Sequence, residues 1–188
     1  MKTVSFTRME DGNLEDYQLL ARAEAEHGRG LADRVLSCLV GLRDGPIGYQ
    51  IDRYQHSLQT ATRALRDRAD EELVVCALLH DIGDNLAPEN HATFAASVLR
   101  PYVSDENWWI VDKHGIFQGY YFWHHYGHDR NAREKFRGHP AFEKTALFCE
   151  RWDQTAFDPA YDTLPLEAFE PMVRRIFARA PYAQFNAG

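Results

Sequence analysis

The chain lacks several features that would place it in common protein classes. Its 188 residues carry a net charge of −7 and contain no sustained run of basic residues, which argues against nucleic acid as a partner. No segment approaches the roughly 20 apolar residues needed to span a bilayer. The opening residues, MKTVSFTRMEDGNLEDY, also lack the apolar core of a secretory signal. We therefore expect a cytoplasmic protein that does not bind membranes.

Cysteine is scarce as well, which limits the covalent and metal chemistry of the chain. Cys38, Cys76 and Cys149 form no CxxC motif and are widely separated. Their odd number and wide spacing predict reduced thiols rather than a disulfide framework, in keeping with a cytoplasmic location.

Alternating polar and apolar residues, which indicate β-strands, are nearly absent. Instead, apolar residues recur at helical spacing between short polar or Pro/Gly breaks. Ser104 and Pro88 occupy positions typical of helix starts. The sequence predicts an all-α fold of eight or nine helices in a single domain spanning residues 1–188. Within it, residues 1–45 would form an N-terminal helical cap and 46–180 the core that carries the site.

Nine histidines are present, concentrated in the middle of the chain. The stretch LLHDIGD carries His80 and Asp81 straight out of an apolar run, where polar groups are costly unless paired or bound. Polar side chains interrupt apolar helical faces at four further positions: His56, His91, His114 and Asp153. A lone histidine of this kind is usually a hydrogen-bonded core or surface residue. Six such positions together indicate a metal site.

The residue types restrict the metal and suggest two ions. Imidazole and carboxylate without thiolate favour Fe, Mn, Co or Zn. Because Asp81 directly follows a histidine ligand, its second oxygen can reach a second ion. We predict one ion held by His56, His80, Asp81 and Asp153, and a second held by Asp81, His91 and His114. Six ligands for two ions leave open coordination positions, which indicates a catalytic site rather than a structural one.

The order of these residues resembles a known family. The H…HD…D pattern of the HD-domain superfamily, known for metal-dependent phosphohydrolases, is matched by His56, His80, Asp81 and Asp153. The two intervening histidines are similar to those of its dinuclear branch. YQHSLQTA resembles the first ligand helix of HD-domain oxygenases that cleave organophosphonates. KHGIFQGYYFWHH and DQTAFDPAYDTLPLEAFEPMVRRIF are similar to segments of myo-inositol oxygenase. The resemblance covers roughly residues 46–180.

This resemblance implies a specific chemistry. The cofactor would be a mixed-valent Fe(II)/Fe(III) dinuclear cluster with O₂ as co-substrate, and the catalytic residues would be Asp81, His91 and His114. The substrate would be a small organophosphonate with a hydroxyl group on the carbon bonded to phosphorus. Its C–P bond would be broken to give a carboxylate and phosphate.

The chain departs from the amine-selective oxygenases at two positions before the first ligand. Tyr49 stands where they have a glutamate, and Pro46 stands where they have a tyrosine. Aromatic faces are known receptors for quaternary ammonium groups. Tyr49 and Tyr54, with the aromatic residues 120–123, would form such a cage. We therefore expect (R)-1-hydroxy-2-(trimethylammonio)ethylphosphonate, or a close relative, as substrate and glycine betaine as product.

A further departure is Gln118, which replaces a lysine four residues after the last histidine ligand. The phosphonate still requires cations, and HDRNAREKFR offers Arg130 and Arg133 for this role. The substrate-binding set predicted from the sequence is Tyr49, Tyr54, Gln118, Arg130 and Arg133. Asp84, three residues after Asp81, is a candidate acceptor for a ligand imidazole.

Three alternative functions remain at this stage. The site would also suit a dinuclear phosphohydrolase acting on a nucleotide or phosphate ester, a cyclitol oxygenase, or an inactive scaffold that binds a regulatory ligand. No segment has the character of a nucleobase or ribose site, and the complete ligand set argues against an inactive scaffold. The helix faces leave the oligomeric state open.

Overall fold

The computed structural model describes residues 2–45 and 48–182. These residues contain eight α-helices and no β-strand, which confirms the all-α prediction. The helices are α1 (Leu14–Arg29), α2 (Leu31–Gly41), α3 (Arg53–Arg66), α4 (Glu71–Leu79), α5 (His91–Leu99), α6 (Asp105–Phe122), α7 (Phe142–Phe148) and α8 (Glu170–Phe177).

Helix α4 lies at the centre because its sequence is apolar on every face. All side chains from Leu73 to Leu79 are buried, and a helix of this kind must be covered from all sides. Helices α3, α6 and α8 pack around it, while α5 and α7 pack on α6 and α2 packs on α8. The carboxyl end of α4, from which His80 and Asp81 continue, therefore lies inside the protein.

Side-chain caps fix where the helices around this centre begin. At the start of α3, one turn before His56, the Asp52 carboxylate accepts a hydrogen bond from the Gln55 backbone N–H at 2.7 Å. Asp70 caps α4 in the same way. The Ser104 hydroxyl accepts from the Asn107 N–H at 3.3 Å, which confirms the predicted cap of α6. Each cap satisfies a backbone donor that the first helical turn leaves free.

Two irregular turns deliver residues toward the centre. Pro88 begins a short 3₁₀ turn, Pro88–Asn90, and α5 itself starts at His91. After α7 the chain continues in a π-helical turn, Cys149–Asp153, which ends on the aspartate. Such turns are rare, and inside helices they are frequent at functional sites.

Among the helices of the described ranges, none is long and apolar enough to cross a membrane.

Gly83 permits the close approach of α5 to the turn that follows α4. A Cβ atom at this position would lie 2.8 Å from the His91 carbonyl oxygen and 2.9 Å from its Cα. Both distances are far below van der Waals contact, and backbone atoms cannot move aside as a flexible side chain can. The absence of a side chain at Gly83 therefore sets how near His91 comes to His80 and Asp81.

Replacing Gly83 with alanine should destabilise the protein and displace His91. Overpacking of this kind typically costs about 1–3 kcal/mol, and each kcal/mol lowers the Tm of a domain this size by about 2–4 °C. Gly28→Ala is the matched control, because a Cβ there meets no atom within 4 Å. Thermal unfolding of both variants checks this, and an unchanged Tm for Gly83→Ala would contradict the steric argument.

Candidate metal centre

Six side chains from five segments meet at the inner end of α4. His56 lies on α3, His80 and Asp81 directly follow α4, and His91 begins α5. The set is completed by His114 of α6 and by Asp153 at the end of the π-helical turn. Every side chain except His91 is at most 4% exposed, and that of His91 is 25% exposed. The six residues predicted from the sequence are therefore brought together.

Asp81 lies between two pairs of imidazoles. Its Oδ2 atom is 3.4 Å from Nε2 of both His56 and His80. Its Oδ1 atom is 3.4 Å from Nε2 of His91 and 3.3 Å from Nε2 of His114. Each carboxylate oxygen thus faces its own pair of ring nitrogens, which is the geometry that a carboxylate bridging two ions requires.

Asp153 adds a second carboxylate on the side of the first imidazole pair. Its Oδ1 atom lies 3.3 Å from Nε2 of His56 and 3.7 Å from Nε2 of His80. Its Oδ2 atom is buried and has no hydrogen-bond partner within the described residues. A buried carboxylate oxygen without a donor is costly, and a cation at this position would compensate it.

Backbone carbonyls fix the tautomers of the histidines. Nδ1 of His80 lies 2.8 Å from the Ala77 carbonyl, and Nδ1 of His114 lies 2.7 Å from that of Val111. His56 and His91 make the same type of contact, with the carbonyls of Ala156 at 2.9 Å and Pro88 at 3.3 Å. A carbonyl only accepts, so each Nδ1 carries the hydrogen and each neutral ring turns the lone pair of Nε2 inward.

The inward lone pairs provide a test of whether a metal fits. Nε2 of His56 and Nε2 of His80 are 3.2 Å apart, and two lone pairs at this distance repel unless a proton or a cation lies between them. Metal bonds of about 2.0–2.1 Å, at angles of about 90–110°, place donor atoms about 2.9–3.4 Å apart. All the separations given above between two Nε2 atoms, or between Nε2 and a carboxylate oxygen, fall in this range, except the 3.7 Å between Oδ1 of Asp153 and Nε2 of His80. The buried cluster can therefore bind metal ions.

Burial and neighbouring charges shift the pKa values of the side chains in the cluster. Burial lowers the pKa of His80, but the charge of Asp81 and a hydrogen bond with Asp153 outweigh it and raise this pKa to about 9. For both carboxylates burial favours the protonated form. The adjacent histidines override burial and hold the pKa of Asp81 and of Asp153 well below the usual range. The two carboxylates are thus ionised and suited to cations.

Arg53 is a component of the site that the sequence reasoning missed. Its Nη1 atom lies 3.5 Å from Oδ2 of Asp81, and its Nε atom lies 2.9 Å from Oδ2 of Asp84. Oδ1 of Asp84 in turn lies 3.3 Å from Nδ1 of His91, as expected for an acceptor that orients an imidazole. The position of Arg53 three residues before His56, on the same side of α3, was the available signal.

A cavity of about 680 Å³ opens from the centre toward solvent. Its wall includes Asp81, His91, His114 and Asp153, so the centre is accessible from the cavity. Aromatic side chains line much of the remainder: Tyr49, Tyr121, Phe122, Trp123, Tyr126 and Phe157. Two cationic side chains, Arg53 and Lys113, also line it.

The structure sorts the predicted substrate-binding residues into two groups. Tyr49 and Gln118 line the cavity. Tyr54 does not: it is 4% exposed and packs beneath the Arg43 guanidinium, whose Cζ is 4.2 Å from the ring centroid. It points to the other side of α3, so its placement in the cage needs correction. Pro46 lies outside the described residues.

Arg130 and Arg133 are also absent from the cavity wall. Their guanidiniums lie 4.3 and 3.8 Å from the centroid of the Tyr120 ring, so both make cation–π contacts with this ring. Tyr120 itself does not line the cavity either. The structure therefore does not support contact of these two arginines with a substrate anion in this cavity, whose cationic wall residues are Arg53 and Lys113.

Metal uptake should release protons. The metal-free protein holds a proton on His80 at neutral pH, since its pKa is about 9, and a metal binds only the neutral imidazole. Apparent metal affinity should therefore rise with pH up to about 9. Protonation of His80 also stabilises the metal-free fold. This contribution is complete below about pH 6.5, the ordinary histidine pKa, and is lost as the pH rises through the pKa of about 9 that His80 has in the folded protein. Calorimetry in buffers of different ionisation enthalpy counts the released protons. Uptake without proton release would contradict the protonated state.

Comparison with known families agrees with this arrangement. The family model described as HD domain matches residues 53–156, more than half of the chain, and this span contains all six residues of the cluster as well as Arg53. Proteins of this kind are generally metal-dependent enzymes. No curated protein matches the chain. The buried histidine–aspartate pair at the end of the central helix, the further histidines and the distant aspartate all lie within the matched residues. The chain therefore belongs to the HD domain family.

Proposed function

We propose that the protein is a dinuclear iron oxygenase that uses O₂ to cleave the C–P bond of a small 1-hydroxyphosphonate bearing a trimethylammonium group. The observation that carries this proposal is the carboxylate of Asp81, whose two oxygens face separate imidazole pairs at the floor of an aromatic-walled cavity. His56, His80 and Asp153 would complete the ligands of one ion, and His91 and His114 those of the other.

The proposed reaction balances without a further reductant. One hydroxyphosphonate and one O₂ give one carboxylate and one phosphate, as the C–H and C–P bonds of the hydroxyl-bearing carbon are replaced by bonds to oxygen. The iron pair would supply the redox chemistry and the site at which O₂ is reduced. The protein would hold the substrate in place and limit the access of water.

The cavity wall supports recognition of a trimethylammonium group. Tyr49 is stacked on Phe157, with ring centroids 4.8 Å apart, and is itself 56% exposed. Trp123 packs directly over Gly119, where a Cβ atom would lie 2.4 Å from the indole ring. A quaternary ammonium has no N–H to donate, so aromatic faces suit it better than carboxylates do.

Arg53 and Lys113 would bind the phosphonate. Arg53 lies beside Asp81, which would bridge the two ions, so an anion bound to Arg53 would also lie close to the metal pair. Lys113 is held by Asp112 at 2.6 Å, and Asp112 accepts a hydrogen bond from the Thr93 hydroxyl. Arg53 and Lys113 thus take the place of Arg130 and Arg133 as the expected contacts of the phosphonate.

A phosphohydrolase is the second candidate, favoured by the same position of Arg53. A guanidinium next to a dinuclear centre would also suit a phosphate ester, and two metals can generate a hydroxide nucleophile at neutral pH. A cyclitol oxygenase would use the metal pair with a neutral polyol. The three differ in whether oxygen is consumed and in which substrate reacts.

The ligand assignment predicts two metal ions per chain. Asp81→Ala should lose both ions and all activity together, because Asp81 would bridge them. His124→Ala should retain both, since His124 is exposed and contacts His125 rather than the cluster. Elemental analysis of iron-reconstituted proteins measures this. One ion in the wild type, or equal metal loss from the two variants, would overturn the assignment.

The substrate proposal predicts a selectivity that depends on Tyr49. The wild-type enzyme should consume O₂ and release phosphate faster with the trimethylated hydroxyphosphonate than with its primary amine, by about 2–30-fold for each aromatic face that contacts the cation. Tyr49→Glu should shift this preference toward the primary amine, whose N–H groups a carboxylate accepts. Tyr54→Phe is the control and should behave as the wild type, because Tyr54 lies outside the cavity.

Oxygen-electrode and phosphate-release assays, run side by side with myo-inositol and nucleotides, distinguish the candidates. Faster turnover of the cyclitol would replace the phosphonate by a polyol substrate. Hydrolysis of nucleotides without oxygen consumption would establish the phosphohydrolase instead.

A further inference from the structure

Gln118 connects the cavity to the metal centre. It lies on α6 one turn after His114 and lines the cavity. Its side-chain Nε2 donates a hydrogen bond to Oδ1 of Asp153 at 2.9 Å. The same oxygen of Asp153 faces Nε2 of His56 at 3.3 Å. Gln118 therefore contacts the carboxylate oxygen that also faces His56, and it helps to fix the orientation of Asp153.

The orientation of the Gln118 amide follows from this contact. An ionised carboxylate only accepts hydrogen bonds, so the NH₂ group faces Asp153 and the carbonyl oxygen takes the other position of the amide. The carbonyl Oε1 is buried and has no hydrogen-bond partner among the described residues. A buried acceptor without a donor destabilises a protein, and such atoms are rare in native structures. A hydrogen-bond donor bound in the cavity would satisfy this oxygen.

We propose that Gln118 is a positioning and specificity-determining residue. Its Nε2 orients Asp153, and its Oε1 accepts a hydrogen bond from an O–H group bound at the open position beside this carboxylate. The hydroxyl on the carbon bonded to phosphorus is the expected donor, so this assignment rests on the proposed function. A water molecule on the metal offers the same chemistry, and the experiment separates the two sources.

An amide suits this role better than the lysine expected at this position from the resemblance. A lysine offers donors only, so it would orient Asp153 and leave no acceptor for a hydroxyl group. Glutamine supplies the donor and the acceptor together and leaves the charge of the centre unchanged.

Two substitutions separate the functions of the two amide atoms. Gln118→Lys retains a donor for Asp153 but removes the acceptor, whereas Gln118→Met removes both with similar volume. Gln18→Lys, on the exposed surface of α1, controls for the added charge. All four proteins are loaded with iron, their metal content and Tm are measured, and ligand binding is followed by anaerobic calorimetry. The ligands are the hydroxylated trimethylammonium phosphonate and its analogue without the hydroxyl group.

We expect the wild type and Gln18→Lys to bind the hydroxylated ligand more tightly than its analogue. Gln118→Lys should keep two metal ions and lose this preference, with roughly a tenfold loss of affinity for the hydroxylated ligand alone, the size expected for one buried hydrogen bond. Gln118→Met should lose the same preference and, in addition, retain less metal, because Asp153 is no longer oriented.

Other outcomes have distinct meanings. An unchanged preference in Gln118→Lys would overturn the assignment. A wild type that binds both ligands equally would exclude the substrate hydroxyl as donor. If the wild type bound neither ligand, the proposed function would fail. A crystal structure of the metal-loaded protein would then decide the Gln118 assignment: a metal-bound water within about 3.2 Å of Oε1 supports it, and no donor within that distance overturns it.

Discussion

The structure depends on a single electrostatic constraint, which is that four imidazoles and two ionised carboxylates converge in a largely buried cluster at the floor of the cavity. His56 and His80 bring their Nε2 atoms to 3.2 Å from each other, and the oxygens of Asp81 lie between the two histidine pairs. Such a cluster is stable only with positive charge inside it. Protons can supply part of this charge, and metal ions can supply more of it without occupying the Nδ1 positions.

The protein backbone provides the second layer of this arrangement, and most of it is local. His80, His91 and His114 each turn Nδ1 toward a carbonyl three residues earlier, at Ala77, Pro88 and Val111. A histidine in or next to a helical turn can make this contact within its own segment. The contact of His56 is different, since its carbonyl partner, Ala156, lies 100 residues away.

The segment around Ala156 is held against α3 by further hydrogen bonds. Gln59 donates to the Asp158 carbonyl at 2.7 Å and accepts from the Asp158 backbone N–H at 3.3 Å. Phe157, between these anchors, stacks on the His56 ring at a centroid distance of 4.4 Å. One short segment thus orients a candidate ligand and supplies part of the cavity wall, which couples the metal centre to the shape of the cavity.

The all-α fold could be predicted from the helical spacing of apolar residues, and the cap at Ser104 and the six residues of the cluster could be predicted from local breaks in that spacing. The sequence could not decide which neighbours of the cluster face the cavity. Residues 56–62 of α3 are buried on every face, so the apolar period of this helix does not mark which of its sides borders the cavity. Arg133 lies in the 3₁₀ segment Ala132–Phe136 and Arg130 lies just before it, so no α-helical period applies to either residue. These positions follow from the packing of the whole fold, since cavity walls form from segments distant in sequence whose relative orientation is set by packing.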